Sequence, residues 1–367
     1  MSEKALQFRD PDAARELADR LDDLMTEIGE PVTIMHVCGS HEQAIARYGL
    51  RSMLPDGLTV RMGPGCPVCV TNVPEVDEAV TLASEGAIVA TYGDMFRVPG
   101  TDESLADARA RGARVEVVYS VSEAVELAET NPDDEVVFFA TGFETTAAPT
   151  AAVLRDDPPA NFSVLSAHKY VPPAMAVVAE LPETDVDGFL AAGHAATITG
   201  YGLFEEFVER YEVPVVVGGF EPLDVLLGLE RLLEFLRDGE AGLENAYSRC
   251  VTREGNEAAL ETMWEVFETT SGEWRGIAEI PDANLVLREA YAEYDARERF
   301  DVEPVAGSGD PLTDRCLCGD IMAGQADPDA CELFGEECLP SNPIGACMVS
   351  SEGPCKIWYE YGGQPDL

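Results

Sequence analysis

Apolar and polar residues alternate in blocks along the first 220 residues of the chain. Residues 12–29 carry apolar side chains at helical spacing, which predicts an amphipathic opening helix. Short apolar runs that end in glycine-rich or polar turns then alternate with helical stretches. Eight such runs are residues 32–37, 58–62, 87–91, 115–119, 136–140, 163–166, 189–192 and 213–217. Continuous apolar strands between helices indicate parallel sheets that helices cover on both faces.

The eight predicted strands fall into two sets of four whose first turns are alike. CGSHE (38–42) follows the first strand of one set, and TGFET (141–145) follows the first strand of the other. We therefore expect an α/β protein with two similar open parallel-sheet (Rossmann-like) domains, at residues 31–121 and 122–220, after an N-terminal helix within residues 1–30. In such sheets ligands bind at the carboxyl ends of the strands, where these turns lie.

The pattern changes after residue 220. Residues 221–300 are predicted to be mostly helical, including 222–237 and 254–267, and a break follows at 307–311. Six of the ten cysteines then lie between Cys316 and Cys355. The sequence thus predicts a mainly helical, cysteine-rich C-terminal domain over residues 221–367.

The charge of the chain is strongly unbalanced. The sequence has 69 acidic against 24 basic residues, a formal charge of −45, and only three of the basic residues are lysine. A surface this acidic repels nucleic acid and suits a protein kept hydrated in concentrated salt. We interpret the composition as adaptation to a salt-rich cytoplasm.

The first residues lack an apolar signal core, and no later run approaches the roughly 18 apolar residues of a membrane helix. We therefore expect a cytoplasmic protein that does not enter a membrane. Disulfide frameworks are rare in that reducing compartment, so ten cysteines favour metal ligation or thiol chemistry.

The cysteines of the tail carry the strongest chemical signal. Four of them follow the pattern Cys316-x14-Cys331-x6-Cys338-x16-Cys355, with Cys318 and Cys347 between them. Four thiolates bind either zinc or a [4Fe–4S] cluster. Zinc ribbons favour two tight pairs, so the long, uneven gaps favour a cluster. A tail of unligated thiols is the third interpretation.

A Cys-x-x-Cys pair lies in the turn GPGCPVCVT (63–71). Its Cys66 and Cys69 resemble the redox turn of thioredoxin-like proteins, because this spacing permits a disulfide and the local field lowers the pKa of one thiol. Half of a metal site and a purely structural role are the alternatives. Cys250 stands alone and is expected to be buried.

The turn CGSHE places a thiol, an imidazole and a carboxylate within five residues. Cys38 and His41 can serve as soft ligands for iron, or as a nucleophile with its base. The alternative is plain capping, with Ser40 as N-cap and Glu42 in the first turn of a helix.

Other polar turns, at 92–100 and 141–146, are expected to line the same cleft. His168, Lys169 and His194 either contact a ligand there or satisfy backbone groups of their loops. The sequence has neither a Gly-x-Gly-x-x-Gly fingerprint after the first strand nor a Walker A motif, so no motif supports a nucleotide cofactor.

Taken together, these motifs resemble the HypD family of hydrogenase maturation proteins. The resemblance runs in order over roughly residues 30–360. It rests on CGSHE (38–42), GPGCPVCVT (63–71), YGDMFRVPG (92–100), ATGFETTA (140–147), HKYVPPA (168–174), GFEPLD (219–224) and the tail CLCG…CELFG…C…PIGACMVSSEGPC (316–355).

The resemblance implies a scaffold on which the Fe(CN)2CO unit of [NiFe]-hydrogenase is built, together with a HypC-type chaperone and a HypE-type cyanide donor. It implies that Cys38 helps to hold the iron with the partner's N-terminal cysteine, and that His41 binds the iron or supports its ligands. Cys66 and Cys69 would form a thiol/disulfide couple. The [4Fe–4S] cluster would be held by Cys316, Cys331, Cys338 and Cys355, in a third domain behind two similar α/β domains.

Our mechanistic hypothesis is a relay in which the tail cluster and the Cys66/Cys69 pair carry electrons to iron on Cys38. The protein would then be a redox-active assembly scaffold more than a turnover enzyme. Two other functions remain open at this point. One is an iron–sulfur thiol/disulfide reductase that acts on a soluble protein, and the other is a zinc-stapled binding module without redox chemistry.

Overall fold

A computed structural model describes residues 7–181, 184–302 and 315–363. The break expected at 307–311 lies outside these residues. The strands are β1 (Val32–His36), β2 (Leu58–Met62), β3 (Ile88–Tyr92), β4 (Val115–Val118), β5 (Val136–Gly142), β6 (Phe162–His168), β7 (Gly188–Ala192), β8 (Val215–Gly218), β9 (Leu243–Asn245), β10 (Phe267–Trp274) and β11 (Ala278–Leu287). All pairs among β1–β9 are parallel, which confirms the expected parallel α/β architecture.

Helices cover both faces of these sheets. They are α1 (Pro11–Ile28), α2 (Gly39–Arg47), α3 (Pro67–Val70), α4 (Val73–Ser84), α5 (Leu105–Ala110), α6 (Val121–Thr130), α7 (Glu144–Arg155), α8 (Val171–Glu180), α9 (Gly193–Thr199), α10 (Glu205–Tyr211), α11 (Pro222–Asp238), α12 (Glu257–Val266), α13 (Ala296–Phe300), α14 (Cys318–Met322), α15 (Ala346–Val349) and α16 (Pro354–Tyr361). The opening helix is thus confirmed as α1, which is capped by Asp10 and ends at Gly29.

Every residue of β5 and of β6 is buried, as expected for strands covered on both sides. Neighbouring side chains point to opposite faces of the sheet. Phe138 therefore packs in one apolar core and Phe139 in another. The second of these cores extends to the cysteines of the tail, so the tail is part of the folded body.

The strands group differently from the expected division at residue 121. One sheet has the order β2-β1-β7-β8-β9, and the other has the order β4-β3-β5-β6. The chain leaves the first sheet after β2, builds the second sheet, and returns when β7 pairs with β1. Uniformly apolar strands do not encode which neighbour they pair with, so the pattern located the strands and not their order.

The prediction of helix over 221–300 holds for α11 and α12 but is wrong for 267–287. There β10 and β11 form an antiparallel hairpin. β11 buries alternate residues over its second half, which is the periodicity of a strand. Trp274, at the end of β10, is fully buried and stacks on Phe143 with 6.0 Å between ring centroids.

The cysteine-rich tail consists of loops and the short helices α14, α15 and α16, so it is less helical than expected. α14 and α15 pack on α3, and α16 packs on α2. The tail therefore lies over the carboxyl ends of the strands of the first sheet. No helix within the described ranges is both long and apolar enough to cross a bilayer.

Candidate functional site

A cleft opens where the carboxyl ends of strands from both sheets meet, as expected for open α/β sheets. The turns at 92–95 and 141–146 line it from the second sheet, as the sequence predicted. Ser40, His194 and Phe220 line it from the first sheet. Residues of α3 and of the tail complete the wall; they are Pro67, Val68, Ser351 and Glu352.

Cys38 lies directly after β1, as the N-cap residue of α2, and only 1 % of its surface is exposed. Its Sγ lies 3.7 Å from Nδ1 of His194, which follows β7. Burial, with the nearby Glu352 carboxylate, raises the pKa of Cys38 to about 12. The thiol therefore keeps its proton at neutral pH, and a metal that binds there must displace it.

His41 lies one turn into α2 and is fully buried. Its Nε2–H donates to the backbone oxygen of Gly219 at 3.0 Å, and its ring stacks on Phe220. Burial, followed by the neighbouring histidines His36 and His194, lowers the pKa of His41 to about 3. Its Nδ1 makes no hydrogen bond to any described residue. A neutral imidazole held by Nε2 leaves the Nδ1 lone pair free for a metal or a proton.

Ser40 does not cap α2, so that part of the capping interpretation is wrong. Cys38 occupies the N-cap position and makes no side-chain capping bond. Ser40 instead donates its hydroxyl to Oε1 of Glu352 at 3.1 Å, across the mouth of the cleft. The first turn of α2 is therefore tied to the tail.

Glu42 is a buried ionic centre. Its carboxylate accepts from Nε1 of Trp358 at 2.7 Å and from Arg51 at 2.9 Å, and it lies 2.8 Å from Nε2 of His36. Burial alone would raise the pKa of Glu42, but Arg51 and His36 outweigh that effect and hold the pKa below its usual range. Glu42 therefore joins α2 to α16 and to β1.

Cys66 and Cys69 form a disulfide with 5.2 Å between their Cα atoms, and both are fully buried. Cys66 is the N-cap of α3, and its Sγ accepts from the backbone N–H of Cys69 at 3.2 Å. The preceding Gly65 accepts a hydrogen bond at 3.3 Å from Gly39. The disulfide turn and the Cys38 turn are thus in direct backbone contact.

All six tail cysteines line one small cavity. They include the four expected to hold a cluster, Cys316, Cys331, Cys338 and Cys355. Burial, and then its three companion thiols, raise the pKa of Cys355 well above its usual value. A thiol such as Cys355, whose ionisation is opposed by burial and by neighbouring thiols, fits a group that supplies positive charge. Cys338 Sγ also accepts from the N–H of Ile344 at 3.3 Å.

The described part of the chain contains no group of three or more His, Cys, Asp or Glu side chains around a single metal-ion position. A tetrahedral zinc site needs its thiolates within about 2.3 Å of one ion. A cubane cluster places each thiolate on a different iron and needs a wider ring of cysteines. Zinc and a cluster therefore require different spacings of the four thiols.

Cys318 and Cys347, whose roles the sequence left open, form a second disulfide with 6.1 Å between their Cα atoms. They lie on α14 and α15, the two helices that pack on α3. This pair therefore lies at the wall between the four-cysteine cavity and the Cys66–Cys69 turn. Cys250, which the sequence predicted to be buried, is exposed.

His194, Glu352 and Asp94 belong to the cleft, although the sequence analysis assigned none of them a specific role. His194 contacts Cys38 from 156 residues away in the chain, and Glu352 contacts Ser40 from 312 residues away. The sequence indicated these residues only by their position. His194 follows a predicted strand, and Glu352 lies in Ser-Ser-Glu-Gly between two tail cysteines. His168 and Lys169 do not line the cleft; Lys169 is fully buried and bonds Glu75 at 2.7 and 2.9 Å.

These features define a parallel α/β protein with a buried thiol–imidazole site, a disulfide turn beside it, and a cysteine-rich tail. The chain belongs to the HypD family, whose model, described as "Hydrogenase formation hypA family", matches residues 12–362. It is 43% identical over 369 residues to a hydrogenase maturation factor HypD of Azotobacter vinelandii, covering 98% of this chain and 96% of that protein.

Two further relatives match over nearly their whole length. A hydrogenase maturation factor HypD of Cupriavidus necator is 42% identical over 375 residues, with 98% of this chain and 97% of the relative covered. A hydrogenase expression/formation protein of Methanocaldococcus jannaschii is 41% identical over 364 residues, with 98% of each chain covered.

Proposed function

We propose that this protein is a cytoplasmic hydrogenase maturation factor, the scaffold on which the Fe(CN)2CO unit of [NiFe]-hydrogenase is assembled. Its partners would be a HypC-type chaperone and a HypE-type cyanide donor. The observation that carries the proposal is the grouping of Cys38, His41 and His194 next to the cleft, beside a buried disulfide. The names of the relatives, which are hydrogenase maturation factors, agree with it.

The iron unit is the cargo in this proposal, and Cys38 is its anchor. Low-spin iron with cyanide and CO suits soft thiolate ligands. His41 presents an unpartnered Nδ1 at the same turn, and His194 lies within 3.7 Å of the Cys38 sulfur. The open side of the cleft would face the chaperone and the cyanide donor.

The tail would hold a resident [4Fe–4S] cluster through Cys316, Cys331, Cys338 and Cys355. When bound, such a cluster supplies electrons one at a time. Three of these cysteines, Cys331, Cys338 and Cys355, are buried from water. The N–H that Ile344 donates to Cys338 would stabilise negative charge on sulfur.

The two disulfides would store electrons in pairs. Each takes two electrons and two protons and becomes two thiols, and it returns them when it reforms. Cys318–Cys347 shares the wall of the tail cavity, and its helices pack on the helix that carries Cys69. We therefore place it between the tail and Cys66–Cys69, with Cys38 at the end of the relay.

The decisive experiment is anaerobic purification with the co-expressed chaperone, followed by metal analysis and infrared spectroscopy. We expect a brown complex with iron and sulfide and with cyanide and CO stretching bands. A brown protein that lacks these bands but reduces protein disulfides would favour the reductase. A colourless, zinc-loaded protein would favour the zinc-stapled module and refute the assignment of a [4Fe–4S] cluster to the tail.

The relay is tested by Cys66→Ala and Cys69→Ala, with Cys250→Ala as the matched control on an exposed thiol. Both relay variants should keep part of their iron and lose the cyanide and CO bands, because the electron pair can no longer be delivered. The control should behave like the unaltered protein. Full maturation in both relay variants would refute the relay.

A further inference from the structure

Residues 350–353, which we call the strap, cross the cleft from one sheet to the other. The strap follows Cys347 of the second disulfide and precedes Cys355 of the tail cavity. At one end it bonds Asp94, which lies two residues after β3 of the second sheet. At the other end it lies on the first turn of α2 in the first sheet. It is thus a short bridge between the tail thiols and the cleft.

Asp94 fastens the strap through a single carboxylate oxygen. Its Oδ2 accepts from the backbone N–H of Ser351 at 2.8 Å, from the Ser351 hydroxyl at 2.7 Å and from the Ser350 hydroxyl at 3.3 Å. Every hydrogen bond that the described residues make to the Asp94 side chain comes from the strap. The carboxylate therefore has no bonding role in its own sheet.

Hydrogen bonds within the strap close it into a turn. A contact that fixes Ser350 therefore also limits the movement of Glu352. The Ser350 hydroxyl accepts from the N–H of Glu352 at 3.1 Å, and the Ser350 carbonyl accepts from the N–H of Gly353 at 3.0 Å. Ser350 is buried, with 1 % of its surface exposed. Asp94 and Glu352 are consequently joined through one serine side chain.

The far end of the strap meets the Cys38 turn in close contact. A Cβ atom on Gly39 would overlap the Glu352 backbone and its Cβ, so Gly39 and Glu352 are packed without space between them. The Glu352 carboxylate accepts from the Ser40 hydroxyl and acts electrostatically on both Cys38 and His194. The position of this carboxylate therefore depends on where the strap is held.

We propose that Asp94 is a positioning residue for the Cys38 site, which it serves by holding the strap so that the Glu352 carboxylate faces Cys38 and His194. The importance of this placement for iron assembly rests on the function proposed above. The placement itself is a property of the fold and is measured without hydrogenase. The motif YGDM thus contributes a fastening point rather than a ligand.

The direct test is hydrogen–deuterium exchange of Asp94→Ala, compared with Asp77→Ala as the matched control. Asp77 also accepts from a backbone N–H and the hydroxyl of one residue, Thr101, at 2.8 and 2.6 Å, but it does not touch the strap. We expect exchange of the strap amides to accelerate by roughly tenfold or more in Asp94→Ala, because a hydrogen bond to a charged group is lost. Asp77→Ala should leave the strap unchanged. Equal strap exchange in Asp94→Ala and the unaltered protein would overturn the proposal.

Asp94→Asn keeps an acceptor for the Ser351 N–H and should restore most of the protection. If Asp94→Ala does not fold, strap exchange can be measured in Asp94→Asn and in Ser351→Ala instead. Ser351→Ala removes only the hydrogen bond that the Ser351 hydroxyl donates to Asp94. Strap exchange in Ser351→Ala that is no faster than in Asp77→Ala would count against the proposal.

A spectroscopic readout separates positioning from simple stability. In the co-expressed complex, Asp94→Ala should keep the visible absorption of the tail and lose about tenfold in cyanide and CO band intensity, while Asp94→Asn recovers it. Undiminished bands in Asp94→Ala would overturn the positioning role. If the unaltered complex shows no bands, the proposed function fails, and the exchange measurement alone decides whether Asp94 holds the strap.

Discussion

Gly65 lies against the backbone of Val37 and Cys38 so closely that a Cβ atom would overlap both residues. The glycines and prolines of the turn 63–67 therefore let two backbone segments meet. The contact places the Cys66–Cys69 disulfide beside the Cys38 turn, and the hydrogen bond from Gly39 to Gly65 fixes that arrangement.

Gly65→Ala should lower the free energy of unfolding by about 1–3 kcal/mol, because overpacking against backbone forces the chain to shift. The matched control is Gly93→Ala, where the nearest heavy atom to a new Cβ is a Val117 methyl at 3.6 Å. Urea denaturation in concentrated salt measures both. A Gly65→Ala variant as stable as Gly93→Ala would show that the two turns are not in tight contact.

His168 makes the fold sensitive to mild acid. It is buried, which lowers its pKa to about 3, whereas an unfolded histidine titrates near 6.5. Below about pH 6.5 the unfolded chain binds a proton that the folded chain refuses, so stability falls by roughly 1.4 kcal/mol per pH unit. In His168→Asn, the part of this fall in stability that His168 causes should be absent. The stability gap between the two proteins, measured by urea denaturation at pH 7 and pH 5, should shrink by about 1–3 kcal/mol, and a constant gap would contradict it.

At the residue scale, the sequence predicted where the local motifs lie. It did not predict contacts between residues that are far apart in the chain. Cys38, Cys66 and Cys69 stand in turns after strands, so their meeting at one edge followed from the parallel-sheet pattern. The contact of Cys38 with His194 requires β7 to return beside β1, and no local pattern encodes that return. The contact of Ser40 with Glu352 likewise depends on the path of the tail.

Helix α16 is attached to α2 by a buried hydrogen bond between Trp358 and Glu42. Arg51 also lies over the Trp358 ring at 5.0 Å. This attachment holds the segment that carries Cys355 against the helix that begins after Cys38. The two ends of the proposed relay are therefore fixed to each other by one helix pair.

Trp358→Phe should destabilise the protein by about 1–3 kcal/mol, because Glu42 keeps its charge and loses a buried donor. Tyr359→Phe, on the same helix and 47% exposed, is the control and should change stability by less than about 0.5 kcal/mol. Thermal unfolding in concentrated salt measures both effects. Equal melting temperatures for the two variants would mean that the Trp358 N–H does not hold the tail.

At the element scale, the positions of β1–β8 could be predicted, and their neighbours within the sheets could not. The eight apolar runs correspond to β1–β8, because burial on both faces leaves a continuous apolar signal. The hairpin at 267–287 escaped because residues 268–273 are all polar or small and a bulge near Thr270 and Gly272 interrupts the pairing. The short helices of the tail are set by cysteine contacts and loop geometry, which periodicity does not report.

The whole molecule carries a formal charge of −45, and its self-repulsion must be screened. The Debye length is about 3 Å at 1 M salt and about 10 Å at 0.1 M, so neighbouring carboxylates interact far more strongly in dilute buffer. We expect dialysis from concentrated salt to about 0.1 M to unfold the protein, as measured by far-ultraviolet circular dichroism. An unchanged spectrum in dilute buffer would contradict the predicted salt adaptation.

The interrupted first sheet has a consequence for protein synthesis. The strands β3–β6 are continuous in the chain and can pair as they leave the ribosome, whereas β1 and β2 lack their neighbour until residues 188–192 have been made. Long-range parallel pairing of this kind forms slowly and late. The nascent chain therefore exposes Cys38, Cys66 and Cys69 before the histidine that faces Cys38 exists, and the thiol–imidazole site closes only after more than half of the protein has been translated.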